Sequence, residues 1–362
     1  MAGSGMTTMS SAAEETAGGT SGGAAAVATL RRLAPGVGLA VLLALVATGV
    51  QRASGIAGLS PLVIAMVLGM GLRNSFGALP GTQAGITFSM RRILRFAIIL
   101  LGFQLTLSQV AAVGAQGIAV IVLTLVCTFL FTKAMGRAMG VERRLAELIA
   151  AGTSVCGASA VIATNTVTRG ADEDVAYAIA CVTVFGSLSM LLFPLLAGPL
   201  GLGPQSYGLW SGAAIHEVAQ VVAAAFAQGA EAGQAGTVAK LSRVILLAPL
   251  ILSLGFWAVR RGTGAGAEGG PVQAKAPMPW FVLGFIAVVA LNSLVHLPDL
   301  WQGRMVTATA FLLTVALAAM GLETDFRKLR AKGLRPLALG ALAWVFVSGL
   351  AYLLIRLFGI TG

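Results

Sequence analysis

Two apolar stretches carry polar residues at their middles. LIAAGTSVCGASAVIATNTV, from Leu148, holds Thr153, Ser154, Cys156, Ser159, Thr164 and Asn165, and GLWSGAAIHEVAQVVAAAF, from Gly208, holds His216, Glu217 and Gln220. Glycine at Gly152 and Gly157 lets a helix break or another backbone come close. A broken helix offers free N–H groups at a positive dipole end, and with nearby hydroxyls these suit an oxyanion such as a sulfate, a sulfonate or a carboxylate. Cys156 reads as a small packed hydrophobe beside that break, because nothing next to it would activate a thiol. Ser154 and Ser159 stand five apart, which favours a break over one continuous helix face.

In the second stretch, a carboxylate at mid-membrane depth marks an ion path or proton relay by default. Glu217 and His216 are therefore the candidate ion-coupling residues, with H⁺ or Na⁺ as the ion and no other cofactor or metal. Gln220 shares a helix face with Glu217 and could hold substrate or orient the carboxylate. The bland reading is that small residues permit close helix packing and hydroxyls bond their own turn. It accounts for Gly, Ala and Ser but not for adjacent His and Glu.

Further candidates lie outside these stretches. Asn74 and Asn292 end two short apolar runs and could line one cavity from two sides, or cap helix ends. The predicted substrate-binding set is thus Thr153, Ser154, Cys156, Gly157, Ser159, Asn165, Gln220, Asn74 and Asn292. Arg95 is the one basic residue that reads as a buried counter-charge, while Lys240 and Arg243 read as snorkelling at a helix start. Glu323 and Asp325 read as surface ion-pair partners of the neighbouring basic loop. No Gly-Lys-Ser/Thr phosphate loop occurs, which argues against an ATP-driven pump, and no HExxH motif supports an intramembrane metalloprotease.

The elements that must position these residues are membrane helices. Of 362 residues, 57% are hydrophobic and 10% charged, with a mean hydropathy of +0.90. Backbone in lipid must satisfy itself, so long apolar runs mean helices. Runs near 33–50, 59–72, 88–107, 118–131, 175–196, 238–258, 279–294, 305–320 and 337–357, with the two interrupted stretches, predict ten or eleven spans. The formal charge of +11 sits in short loops, as the positive-inside bias requires, and not on a face built for nucleic acid. It predicts a cytoplasmic N-terminus in the cell inner membrane. Residues 1–28 read as a disordered tail without a cleaved signal sequence, and 29–362 as one transmembrane domain. Cys127, Cys156 and Cys181 suggest neither disulfide nor zinc.

Internal echoes organise that domain. Ser211 to His216 aligns with Ala151 to Cys156 at an offset of 60. Asn74-Ser75 aligns with Asn292-Ser293, and Gly102 and Gly114 align with Gly321 and Gly333. The outer copies fall at about 55–133 and 275–360, and the interrupted segments at about 145–200 and 205–260. Inverted repeats with shortened spans are a mark of secondary transporters. Span counting gives both interrupted segments the same direction, a conflict that a re-entrant segment would remove.

The runs LLGFQLTLSQV, SVCGASAVIATNTV, SGAAIHEVAQVVAA, KLSRVILLAPLI and GLETDFRKL resemble the sulfate exporter family of bacterial inner-membrane proteins. The likeness covers the chain from about Leu33 onward, and Cys156 to Ala160 and His216 to Gln220 are its most specific parts. It implies an all-α multi-span transporter of an anion, with broken helices crossing at the midplane as in the bile-acid/sodium and sodium/proton carriers. The predicted function is secondary active transport of a small anion, by a protein that is not an enzyme and whose partners are that anion and the bilayer, with a homodimer allowed. The alternatives are a membrane enzyme using Cys156 or His216, and a non-transporting sensor or assembly protein.

Overall fold

The computed structural model describes residues 18–54, 60–111, 113–260, 280–295, 298–330 and 332–360. The described residues are helical with short connections. Six stretches are long and apolar enough to cross a membrane: 27–54, 114–138, 172–196, 230–257, 300–323 and 334–357. The chain is an all-α, multi-pass membrane protein.

In chain order the helices are α1 Gly18–Ser54, α2 Pro61–Phe76, α3 Gln83–Phe88, α4 Leu94–Leu101, α5 Leu107–Ala111, α6 Gly114–Ala138, α7 Arg143–Ser154 and α8 Ala158–Thr168. They continue as α9 Asp172–Leu196, α10 Pro204–Ala214, α11 Val218–Phe226, α12 Ala230–Ile245, α13 Leu247–Arg260, α14 Trp280–Leu294, α15 Asp299–Glu323 and α16 Leu334–Leu357. A π turn, Ser89–Ile93, joins α3 to α4. Of the predicted tail, residues 1–17 lie outside the described residues, and 18–28 form the start of α1. The alanines there have high helix propensity and extend a helix already nucleated by the apolar run. The predicted loop from Arg260 to Ala276 lies, after Arg260, outside the described residues.

The interrupted stretches depart from the prediction. Each doubles back as a helical hairpin, the arrangement a re-entrant segment would have. At the open end of the first, Arg144 Nη1 donates to the Arg169 carbonyl at 3.0 Å, so the start of α7 lies beside the end of α8. In the second, the Tyr207 hydroxyl donates to the Ala224 carbonyl at 3.1 Å, which pairs the start of α10 with the end of α11. The arms have 12, 11, 11 and 9 residues, or roughly 13–18 Å at 1.5 Å per residue. Each arm is about half as long as a roughly 30 Å hydrocarbon core is thick. The turns are Val155-Cys156-Gly157 and Ile215-His216-Glu217, positions that the internal echo already aligned. Gly157 turns with φ +67°, a left-handed value that glycine adopts without strain, and Ile215 and Glu217 are extended.

The outer helices show a reciprocal pattern. Asn74, at the end of α2, donates to the Thr324 carbonyl just past α15 at 2.9 Å. Asn292, near the end of α14, donates to the Leu105 carbonyl just past α4 at 2.9 Å. Glycines bring these pairs together: a Cβ on Gly321 of α15 would meet the Met70 nitrogen of α2 at 2.9 Å, and one on Gly102 would meet the Phe285 carbonyl of α14 at 2.9 Å. Such close backbone approach is how small residues hold membrane helices together.

The helices sort into two groups. α1 to α4 pack with α14 and α15; α6 to α12 pack with α16, and α13 lies against α8 and α12. Between the groups, α11 touches α2 and α15, α5 touches α12, and the turn Phe326–Arg330 touches α9. Lys332 also bonds Asp174, at the start of α9, at 2.8 Å. The predicted pairing with the neighbouring basic loop takes another form: Asp325 meets Arg73 of α2 at 3.5 Å, and Glu323 accepts from the Gln83 amide at 2.7 Å.

Candidate functional site

The hairpin turns meet inside the second group of helices. A Cβ placed on Gly157 would lie 2.6 Å from Glu217 Cγ, so the glycine leaves room for the carboxylate arm of the opposite hairpin. Where α7 and α10 end, carbonyls lose their intrahelical partners and carry the negative end of the helix dipole. Two cations of α12 answer both ends. Lys240 Nζ donates to the Val155 carbonyl at 2.8 Å and to the Ile215 carbonyl at 2.7 Å. Arg243 donates to the Ser154 carbonyl at 3.0 Å, the Thr153 carbonyl at 2.8 Å and the Ala213 carbonyl at 2.5 Å. Both side chains are fully buried, so each cation clamps the two hairpins to one another.

Where α8 and α11 begin, the opposite ends are answered by Glu217. Its carboxylate accepts the Gln220 backbone N–H as the N-cap of α11, takes the Thr183 hydroxyl of α9 at 3.2 Å, and lies against Gly157, just before α8. Gln220 completes the capping box, accepting the Glu217 N–H at 3.2 Å. Its amide also donates to the Thr183 carbonyl at 3.1 Å and to Ser187 Oγ at 3.3 Å. Gly186 makes space for that amide. Glu217 is half-buried, whereas His216 and Gln220 are buried.

Several polar atoms near the turns have no partner. Thr153 Oγ1, Ser211 Oγ and both ring nitrogens of His216 are buried without a hydrogen bond among the described residues. Buried polar groups are nearly always paired, so each unpaired one calls for an explanation such as a ligand or water. Among the described residues, neither ring nitrogen of His216 is hydrogen-bonded to Cys156.

The structure thus brings Thr153, Ser154, Cys156, Gly157, His216, Glu217 and Gln220 together at the turns. Ser159, in the first turn of α8, is exposed. Three predicted binding residues stand elsewhere. Asn165 closes the far end of α8, accepting the Gly170 N–H at 2.7 Å. Asn74 and Asn292 tie helix ends together, and their amides are committed to backbone carbonyls. Arg95 is exposed, with its guanidinium 5.8 Å from the Phe281 ring, and is no buried counter-charge. That part falls to Lys240 and Arg243, which do not snorkel. With them, Ser211, Thr183 and Ser187 escaped the sequence reading. The offset of 60 held a signal, because it aligns Thr183 of α9 with Arg243 of α12.

Gly157→Ala is expected to unseat Glu217. The added methyl enters the carboxylate's space and disfavours the left-handed turn, at a cost of about 1–3 kcal/mol. A lowered melting temperature in detergent, with no change in membrane insertion, would register it.

Residues 35–340 match the family described as Conserved hypothetical protein 698. A UPF0324 membrane protein of Pseudomonas aeruginosa is 39% identical over 336 residues, spanning 89% of this chain and 94% of its own. One from Bordetella bronchiseptica is 41% identical over 299 residues, 81% and 92% of the two chains. The UPF0324 inner membrane protein YeiH of Salmonella typhimurium is 38% identical over 330 residues, 89% and 93%.

Proposed function

The chain belongs to the Conserved hypothetical protein 698 family, which it shares with the UPF0324 membrane proteins, and from that footing we propose that it is a secondary active transporter of a small oxyanion. The observation that carries this reading is a charge imbalance at the hairpin turns. Lys240 and Arg243 are fully buried against both turns, where Glu217 supplies the carboxylate, two basic side chains against one acid, and a bound anion would restore the balance. A sulfate or sulfonate fits the donors: the N–H groups opening α8 and α11, and the hydroxyls of Thr153, Ser159 and Thr183.

In this reading Glu217 is the built-in occupant of the anion site. Its carboxylate takes the Gln220 N–H and stands against Gly157 at the start of α8. Protonation weakens its hold there, and a substrate anion takes its place. Anion and H⁺ then move together, with His216 or Gln220 assisting. Coupling to Na⁺ would leave transport indifferent to a pH gradient.

The two helix groups provide the parts that would move against one another. The reciprocal Asn74 and Asn292 bonds support inverted repeats, with α2, α4 and α6 answering α14, α15 and α16. Hairpins entering from opposite faces remove the direction conflict left by span counting. Arg143, Arg144 and Arg169 at the open end of the first hairpin support a cytoplasmic entry for it, and so a cytoplasmic N-terminus in the inner membrane.

The test is flux in proteoliposomes. Labelled sulfate, with unlabelled sulfonates as competitors, is expected to accumulate under an imposed pH gradient and not under a Na⁺ gradient. Flux no greater than in protein-free liposomes, for sulfate and sulfonates alike under both gradients, would refute the reading.

A further inference from the structure

A cleft of about 550 Å³ opens beside the base of the first hairpin, between α6, α7, α8 and α13. Its inner wall is apolar: Leu125, Phe129, Leu250 and Leu254 line it. Its mouth is basic, with Lys133, Arg137, Arg143 and Arg144. Glu147 is the acidic lining residue, and it is paired with Lys133 at 2.9 Å. Arg144 spends one N–H on the Arg169 carbonyl. Arg137 and Arg143 are exposed, and their guanidinium groups have no hydrogen bond or ion pair among the described residues. A second cavity of about 410 Å³ shares Lys133, Arg137 and Arg143, so these side chains stand between two open spaces.

The apolar wall continues outward. Val126 and Leu130 line the cleft and are 44% and 60% exposed, on helices that cross the membrane. Trp257, at the edge of the cleft and 58% exposed, is the residue type that settles at the interface between headgroups and hydrocarbon. The cleft therefore has an apolar trough open toward the bilayer and an anion-seeking mouth at headgroup level.

We infer that this cleft binds an anionic glycerophospholipid, with the phosphate at Arg137 and Arg143 and an acyl chain along Leu125, Val126, Phe129 and Leu130. A small soluble anion would use the basic mouth but has no need of the trough. A zwitterionic lipid would use the trough but gain little from unpaired arginines. Basic pockets between transmembrane helices that face the cytoplasm are suited to acidic headgroups for this reason. A lipid seated here braces α6 and α13 against the open end of the hairpin formed by α7 and α8.

The experiment uses the full chain, stripped of lipid in detergent and offered phosphatidylglycerol or phosphatidylcholine in mixed micelles. Bound lipid is counted by native mass spectrometry. Phosphatidylglycerol is expected to be retained in preference to phosphatidylcholine. In the double variant R137Q/R143Q its affinity is expected to fall roughly 30-fold, and R137K/R143K is expected to recover most of it. Both variants should keep the parent melting temperature, because the side chains are exposed. Equal retention of the two lipids, or undiminished binding in R137Q/R143Q, would overturn the inference. Displacement of the lipid by millimolar sulfate at matched ionic strength would also overturn it, marking a vestibule for soluble anions. Absence of sulfate flux would refute the transport reading without touching this one.

Discussion

Arg243→Met is expected to lose about 3–9 kcal/mol of stability, at about 1–3 kcal/mol for each buried carbonyl left without a partner. The carbonyls of Thr153 and Ser154 end one hairpin arm and that of Ala213 ends the other. Removing one guanidinium therefore loosens both turns at once. The methionine fills most of the volume, so a packing defect contributes little. Arg243→Lys keeps the charge that the dipole ends attract, but one ammonium cannot reproduce the forked set of contacts. The expected order of melting temperature in detergent is wild type, then Arg243→Lys, then Arg243→Met. Retention of the wild-type value in Arg243→Met would show that the clamp is not holding the turns.

Glu217→Gln is expected to separate structure from coupling. The amide oxygen can still accept from Thr183 and from the N–H opening α11, so stability should change by about 1 kcal/mol. The side chain is permanently neutral, however, as Glu217 would be only when protonated. Accumulation of sulfate driven by a pH gradient should fall to background, while exchange of external for internal sulfate should persist. If gradient-driven accumulation survives in Glu217→Gln, the proton is carried elsewhere. If exchange disappears with it while the protein stays folded, the carboxylate contributes to binding and not to coupling alone.

Much of this site was legible in the residues themselves. Gly157 and the alignment of Cys156 with His216 marked both turns, because a break needs glycine or a local polar partner and both copies kept theirs. The folding back of each segment was not legible. Two arms of 9–12 residues add up to the length of one span, so hydropathy alone cannot tell a broken crossing from a hairpin. Lys240 and Arg243 were misread for a related reason. The apolar run starts near Val238, which puts them at an apparent helix end. The membrane-length helical stretch itself runs from Ala230 to Trp257, starting under small and polar residues, so both cations fall well inside it. Asn74 and Asn292 were recognisable as a matched pair, but their task depended on which helix ends lay opposite, and that is set by packing.

The central claim is that the hairpin turns line a hydrated anion site to which both sides of the membrane have access in alternation. Ser159→Cys tests it most directly, in a background where Cys127, Cys156 and Cys181 are replaced by alanine. Ser159 is exposed in the first turn of α8, next to the N–H groups proposed to hold the anion. A charged, membrane-impermeant maleimide should label the introduced cysteine from either side, with a balance that shifts with pH, and sulfate should slow the labelling severalfold. Labelling by lipid-soluble reagents alone, or labelling indifferent to sulfate, would contradict the account.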